Sequence, residues 1–245
     1  MMTELVLVEG VSDVLLISYY LQNVYGWKHE KNNSLAIVPL NNCEHIENLS
    51  KNGNQLILCG VGGFGKFTPF VDEHRINNII IDENISSIMV VTDRDGASDT
   101  KVKKAINTAF EKISVEVGSW KNNAILDSYG QPKEINTYLL IIPANEKGAL
   151  ERVIINALED IPKEKDLIKE VVKFIDSLKE RVTPELQQTN KANKATVGTF
   201  FSVKYPQNAM RFFSISISKI DWSKSESLRK LFLPFASLGE EKPNN

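Results

Sequence analysis

Two short apolar runs, Leu-Val-Leu-Val at residues 5–8 and Ile-Met-Val-Val at residues 88–91, each give way to acidic residues. Glu9 follows the first run directly, with Asp13 four positions on. Asp93 lies just past the second, with Asp95 two positions on. Runs this short, bounded by Gly and Asp, fit strands buried on both faces. A carboxylate at the tip of a buried strand is costly unless a cation or a substrate meets it there. The pattern therefore constrains the chain to a fold in which distant strand ends open onto one site.

The intervening sequence supports such a fold. Further short strands are expected at residues 35–40, 55–59 and 135–142. Val14, Leu15, Ile17, Leu21 and Val24 recur at helical spacing toward Gly26, with Ser12 placed to cap the helix start. A second helix is expected from residue 69 to 81, with Val71, Ile76, Ile79 and Ile80 inward. Asp99 opens a third, with Val102, Ile106, Ala109 and Phe110 in register. Strands alternating with helices predict an α/β fold: a central, mainly parallel sheet with helices on both faces. Residues 115–130 read as either a hairpin or a surface loop. Later helices are expected from Gly148, over residues 163–182, at 196–205 and at 227–235, while 189–194 is polar. This divides the chain into a first domain of residues 1–160, a mainly helical extension of residues 161–238 packed on it, and a disordered tail at 239–245.

Charge and composition exclude some functions. With 29 Lys and Arg against 31 Asp and Glu, the net charge is -2, so no strongly basic nucleic-acid coat is present. A local basic patch remains open, with Lys101, Lys103 and Lys104 able to contribute. No apolar run reaches membrane-spanning length, and the N-terminus lacks a signal-peptide pattern. Cys43 and Cys59 show no metal-ligand spacing and read as reduced thiols of a cytoplasmic protein. His29, His45 and His74 are likewise scattered.

The chemistry rests on three elements. In the first, Gly10 lets the backbone turn beside Glu9 and brings Asp13 into the first helical turn, where it can also act as a helix-dipole residue. In the second, Asp93 and Asp95 alternate on an extended segment, so both can face one Mg²⁺ or Mn²⁺. An Asp-rich turn is the alternative; a calcium loop is excluded because Ser98 and Lys104 stand where Gly and Glu are needed. In the third, Gly62, Gly63, Gly65 and Lys66 follow a strand and can offer N–H groups and a cation to a phosphate. Phe67 after Lys66 rules out a nucleotide-binding P-loop.

Glu9-Gly10 with Asp13, followed by Asp93-Arg94-Asp95, resembles the Toprim domain over about residues 3–160. The likeness is greatest to small stand-alone bacterial Toprim proteins related to the overcoming-lysogenization-defect (OLD) nucleases. Gly62-Gly63-Phe64-Gly65 and Gly148-Ala149-Leu150-Glu151 are similar to elements of that group. The resemblance implies a metal-dependent nuclease of DNA or RNA, in phage defence or DNA repair. Glu9 becomes the general acid/base or a metal ligand, Asp93 and Asp95 hold Mg²⁺ or Mn²⁺, and Asp13 and Glu151 complete a second metal position. Lys194, or alternatively Lys191, takes the place of a downstream catalytic lysine. The partner is nucleic acid, and a homodimer or larger complex is consistent with the family; no membrane is involved. The other implied possibility is a nucleic-acid- or nucleotide-binding Toprim module with a vestigial site, serving as a subunit of a larger complex.

Overall fold

The structure is a computed structural model that describes residues 2–30, 43–73, 76–82, 84–179, 181, 184–208 and 213–240. It divides into two compact units, one of residues 1–141 with 234–245 and one of residues 142–233.

The first unit carries a seven-stranded sheet. Its strands are β1 (Thr3–Val8), β2 (Lys28–His29), β3 (His45–Lys51), β4 (Asn54–Gly60), β5 (Ile85–Asp93), β6 (Lys121–Leu126) and β7 (Pro132–Ile142), in the order β2-β3-β4-β1-β5-β7-β6. Its centre is parallel as expected: β1 pairs with β4 on one side and β5 on the other. Toward the edges β2–β3, β3–β4 and β6–β7 are antiparallel. All six residues of β1 are buried, as an interior parallel strand requires.

Helices lie on both faces. Leu5, Leu7, Ile57 and Cys59 share a core with α2 (Phe67–Glu73), α3 (Ile76–Asp82) and α4 (Asp99–Ala109). Side chains alternate along a strand, so Gly60 faces the other way. There Val14 of α1 (Val11–Val24) comes within 3.5 Å of the position a Cβ on Gly60 would take. That Cβ would also lie 3.3 Å from the backbone carbon of Gly10, so glycine lets the turn after β1 pass directly over the end of β4.

Several local expectations change. Gly10, not Ser12, occupies the position before α1, and the Asp13 carboxylate accepts from the Gly10 N–H at 3.0 Å. The helix expected over residues 69–81 falls on α2 and α3, with residues 74 and 75 outside the described ones. β3 is absent from the sequence reading because His-Ile-Glu-Asn-Leu-Ser-Lys does not look like a strand. Its signal is the following Asn52-Gly53 pair, with φ of 51° and 81°, the two-residue turn that suits a hairpin. The strand expected at residues 35–40 lies outside the described residues. Residues 121–142 resolve the open alternative in favour of a hairpin, β6–β7. Cys43 and Cys59, expected as free thiols, are joined as a disulfide with a Cα–Cα distance of 6.3 Å, within the usual reach.

The second unit is helical: α5 (Leu150–Asp160), α6 (Lys165–Leu178), α7 (Thr189–Lys204), α8 (Phe213–Ile217) and α9 (Glu226–Leu231). Packing of α5 against α6, α7 and α9 places it with the C-terminal helices, so the division falls at residue 142 instead of 160. α7 starts at Thr189, ahead of the helix expected at residues 196–205, and takes in the polar stretch 189–194. Buried Glu164 pairs with Lys204 across α6 and α7. Asp160 accepts from the Ser227 N–H at 2.7 Å and so fixes the start of α9.

The chain after residue 233 returns to the first unit, which corrects the expected extension to residue 238. The fully buried carboxylate of Glu4, inside β1, is its anchor. Ser87 Oγ donates to Glu4 Oε1 at 2.8 Å, and the Gly239 N–H donates to Oε2 at 2.6 Å. Asn54 Nδ2 donates to the Gly239 carbonyl at 2.9 Å. Removing the acceptor strands buried donors. Glu4→Leu is expected to lower the unfolding free energy in urea by about 2–4 kcal/mol, and Glu4→Gln, which keeps one acceptor, by less.

Candidate functional site

The turn after β1 leads into α1 on one face of the sheet, whereas the turn after β4 leads into α2 on the other. Adjacent parallel strands whose connections diverge in this way leave a crevice at their carboxyl ends, the usual ligand position in open α/β sheets. Val8 stands opposite both Gly60 and Val91, so Glu9 emerges beside Val61 and Thr92.

Glu9 joins all three strand ends. Its Oε1 accepts from Thr92 Oγ1 at 2.5 Å and from the Asp93 N–H at 2.8 Å. Its backbone carbonyl accepts from the N–H groups of Gly62 and Gly63, both at 2.8 Å. Burial pushes the Glu9 carboxyl above the usual carboxylate range, and the nearby negative charge of Asp95 acts in the same direction. The Thr92 hydroxyl and the N–H groups of Asp93 and Phe64 oppose the shift without cancelling it.

Asp95 reaches this site by a route other than the expected one. The strand ends at Asp93, and Asp95 has a left-handed φ of 36°, so the alternation of an extended segment does not apply. A turn closed by the Ala97 N–H to the Arg94 carbonyl at 2.7 Å carries Asp95 round. Arg94 pairs with Asp99 in the first turn of α4, and Ser98 Oγ caps that helix by accepting from the Lys101 N–H at 3.3 Å.

The glycine loop also departs from expectation. Gly62 and Gly63 have φ of 94° and 113°, and their N–H groups point to Glu9. Those two donors, expected to cradle a phosphate, are used within the protein. Gly65 and Lys66 are exposed. Asp13, expected as a metal ligand, is buried and bonded to the Gly10 N–H. Glu151 and Lys194 both belong to the second unit, where Lys194 Nζ lies 3.9 Å from Glu151 Oε1; Lys191 is exposed on the same helix. Of the basic patch, Lys103 is held by Glu116 at 2.7 Å, whereas Lys101 and Lys104 are exposed. A cleft of about 470 Å³ in the second unit, lined among others by Glu146, Asn156 and Lys230, contains none of the expected site residues.

Of the five carboxylates expected to bind metal, Glu151 belongs to the second unit and Asp13 is engaged by the Gly10 N–H. Among the described residues, no three of His, Cys, Asp and Glu are grouped so as to hold a metal ion. Glu9 and Asp95, close enough to feel one another's charge, are the remaining pair. Two carboxylates suffice for Mg²⁺, which keeps several waters and takes other ligands from substrate phosphates.

Two site residues escaped the sequence reading. Thr92, fully enclosed and bonded to Glu9, could have been found as the residue between the apolar run and Asp93. Glu44 has no sequence signal. Its Oε2 lies 3.8 Å from where a Cβ on Gly10 would sit, and Asp13 Oδ2 lies 3.6 Å from the same point.

The raised pKa of Glu9 has a thermodynamic consequence. Between the ordinary glutamate value of 4.5 and the higher folded-state value, the folded protein binds more protons than the unfolded chain. Stability therefore falls as pH rises through that window. Glu9→Gln is expected to flatten the fall and to leave the protein at least as stable at neutral pH, as measured by urea unfolding across a pH series.

No curated protein matches the chain. A crystal structure of hypothetical protein PH0156 from Pyrococcus horikoshii OT3 is similar at 16% identity and a TM-score of 0.46, covering 94% of this chain and 98% of that one. The structure of hypothetical protein SA1046 from S. aureus is similar at 14% identity and a TM-score of 0.17, covering 56% of this chain and 90% of that one. Residues 3–233 match the model of the family described as "Protein of unknown function (DUF3226)", and the chain belongs to that family.

Proposed function

We propose that this protein is a Toprim-type, divalent-metal-dependent nuclease that hydrolyses phosphodiester bonds in DNA or RNA. The observation that carries the reading is Glu9: a carboxyl raised by burial, beside Asp93 and Asp95, where three parallel strands end. A carboxyl poised nearer neutrality exchanges protons more readily than an ordinary glutamate, which suits a general acid/base. Thr92 and the Asp93 N–H fix its orientation through Oε1. Asp95 and Glu9 are the residues that would hold Mg²⁺ or Mn²⁺, with Asp93 adjacent. When bound, such an ion neutralises phosphate charge and lowers the pKa of an attacking water. Lys66, exposed on the loop above, is suited to a substrate phosphate.

Glu151 as a metal ligand and Lys194 as a catalytic lysine stay in the proposal, as does a homodimer or larger complex in phage defence or DNA repair. Among the described residues, no helix is long and apolar enough to cross a membrane. A cytoplasmic setting is part of the same proposal, although the Cys43–Cys59 pair removes the support that free thiols gave it.

A second reading, a nucleic-acid- or nucleotide-binding module without turnover, is favoured by two observations. The Gly62 and Gly63 donors are occupied, and Asp13 is committed to its helix. Cleavage of mixed single-stranded and duplex DNA and RNA in Mg²⁺ or Mn²⁺ separates the two. The nuclease reading expects metal-dependent products that Glu9→Gln reduces by about 100-fold or more. Equal cleavage by wild type, Glu9→Gln and Asp95→Asn rejects it, and binding without cleavage under every metal favours the module.

A further inference from the structure

We propose that Phe64 is a stacking platform for an unpaired nucleobase, so that the site receives single-stranded nucleic acid. The inference deepens the nuclease reading by naming its substrate class, and it rests on that reading for the position of the scissile phosphate.

Phe64 is an aromatic ring where packing does not call for one. It stands at the start of the short turn Phe64–Lys66, with its N–H directed at the Glu9 carboxylate, and the residue is 37% exposed. Its neighbour Phe67 is 2% exposed and belongs to the core beneath. The two rings meet edge to face, with centroids 6.4 Å apart and planes at 66°. Phe67 thus steadies Phe64 from one side and leaves a face of it to solvent. Exposing a large apolar ring beside the half-buried Glu9 gains nothing for folding, but a base can cover it.

The surroundings keep that face open. A Cβ on Gly63 or on Gly65 would meet nothing within 4 Å. Gly63 needs its glycine for a φ of 113°. Gly65 has neither a left-handed backbone nor a crowding neighbour, so the fold makes no demand for glycine there. A bare position next to an exposed ring leaves room for a flat ligand. Val11, 38% exposed, follows Gly10 and adds a second apolar contact near the strand ends. Lys66, exposed on the same turn, supplies charge of the sign that a nucleotide phosphate needs.

These features favour single strands over duplexes. In a duplex each base face is already stacked on its neighbours, whereas an unpaired base is free to lie on a protein ring. Stacking is also tolerant of sequence, which suits a chain with one ring and few exposed cations at the site.

The test is fluorescence anisotropy of labelled single strands of about twelve nucleotides, DNA and RNA, and of the matching duplexes. The full chain is used at fixed salt in EDTA, so that binding is read without turnover. Single strands are expected to bind more tightly than duplexes. Phe64→Ala is expected to weaken single-strand binding about tenfold and leave duplex binding unchanged, Phe64→Trp to restore it, and Gly65→Gln to weaken it by crowding the ring. Circular dichroism melting checks that the variants fold; because Phe64 and Gly65 are exposed, all three are expected to melt like wild type. Equal single-strand binding by folded Phe64→Ala and wild type overturns the proposal, as does equal loss on both substrates or no binding by the wild type. Cleavage in Mg²⁺ that is indifferent to Phe64→Ala removes the platform and keeps the nuclease. Selective loss of single-strand binding, with no cleavage under any metal, removes the nuclease and keeps the platform.

Discussion

Glu9 uses its two ends for two different strands. The side chain bonds to Thr92 and Asp93 at the end of β5, and the backbone carbonyl takes the Gly62 and Gly63 N–H groups at the end of β4. The residue that continues β1 is thereby fastened to both of its neighbours just where the ladders stop. Burial above all, with the nearby charge of Asp95, holds its carboxyl above the usual carboxylate range. The same bonds that fix the geometry of the strand ends set the chemistry of the group between them.

The cost of that arrangement is visible in its surroundings. Backbone donors that look available in a glycine-rich sequence are already engaged once Glu9 is in place, and the Asp13 carboxylate is occupied by its own helix start. What remains for a ligand is narrower than the list of acidic and glycine residues suggests. It is one perturbed carboxyl, a like charge at Asp95, and the outer side of the turn that carries Phe64, Gly65 and Lys66. Chemistry on a phosphate is compatible with so few groups because an Mg²⁺ ion takes much of its coordination from water and substrate.

Much of the central architecture was legible from the residues. The apolar runs 5–8 and 88–91 inside β1 and β5 are short and lead to acids, a pattern that fits buried strands; the helices α1 and α4 follow from their apolar spacing. Legibility failed where local pattern and tertiary context disagree. β3 carries His45, Glu47 and Lys51 and becomes a strand because it pairs with β4, with Leu49 opposite Leu56. α7 begins in a polar stretch, yet Ala192 is buried there. Glu4 is a charge inside a strand, which no periodicity anticipates; its partners Ser87 and Gly239 are contributed from far along the chain. In the site, residue identities were more legible than their roles. Asp13 was visible as a carboxylate, but whether a carboxylate meets a cation or a backbone N–H depends on a turn that the sequence only hints at.

The return of the chain to Glu4 affects how the molecule is made. The sheet-bearing unit is not contiguous: residues 234–245 rejoin residues 1–141 after the helical unit has been built. During synthesis, which proceeds from the N-terminus, the Glu4 carboxylate in β1 gains its Gly239 donor only after a further 235 residues have been made. Completion of the first unit therefore waits on the helical unit, and a nascent chain stalled within the latter carries a sheet in which Glu4 has its Ser87 bond but not the one from Gly239.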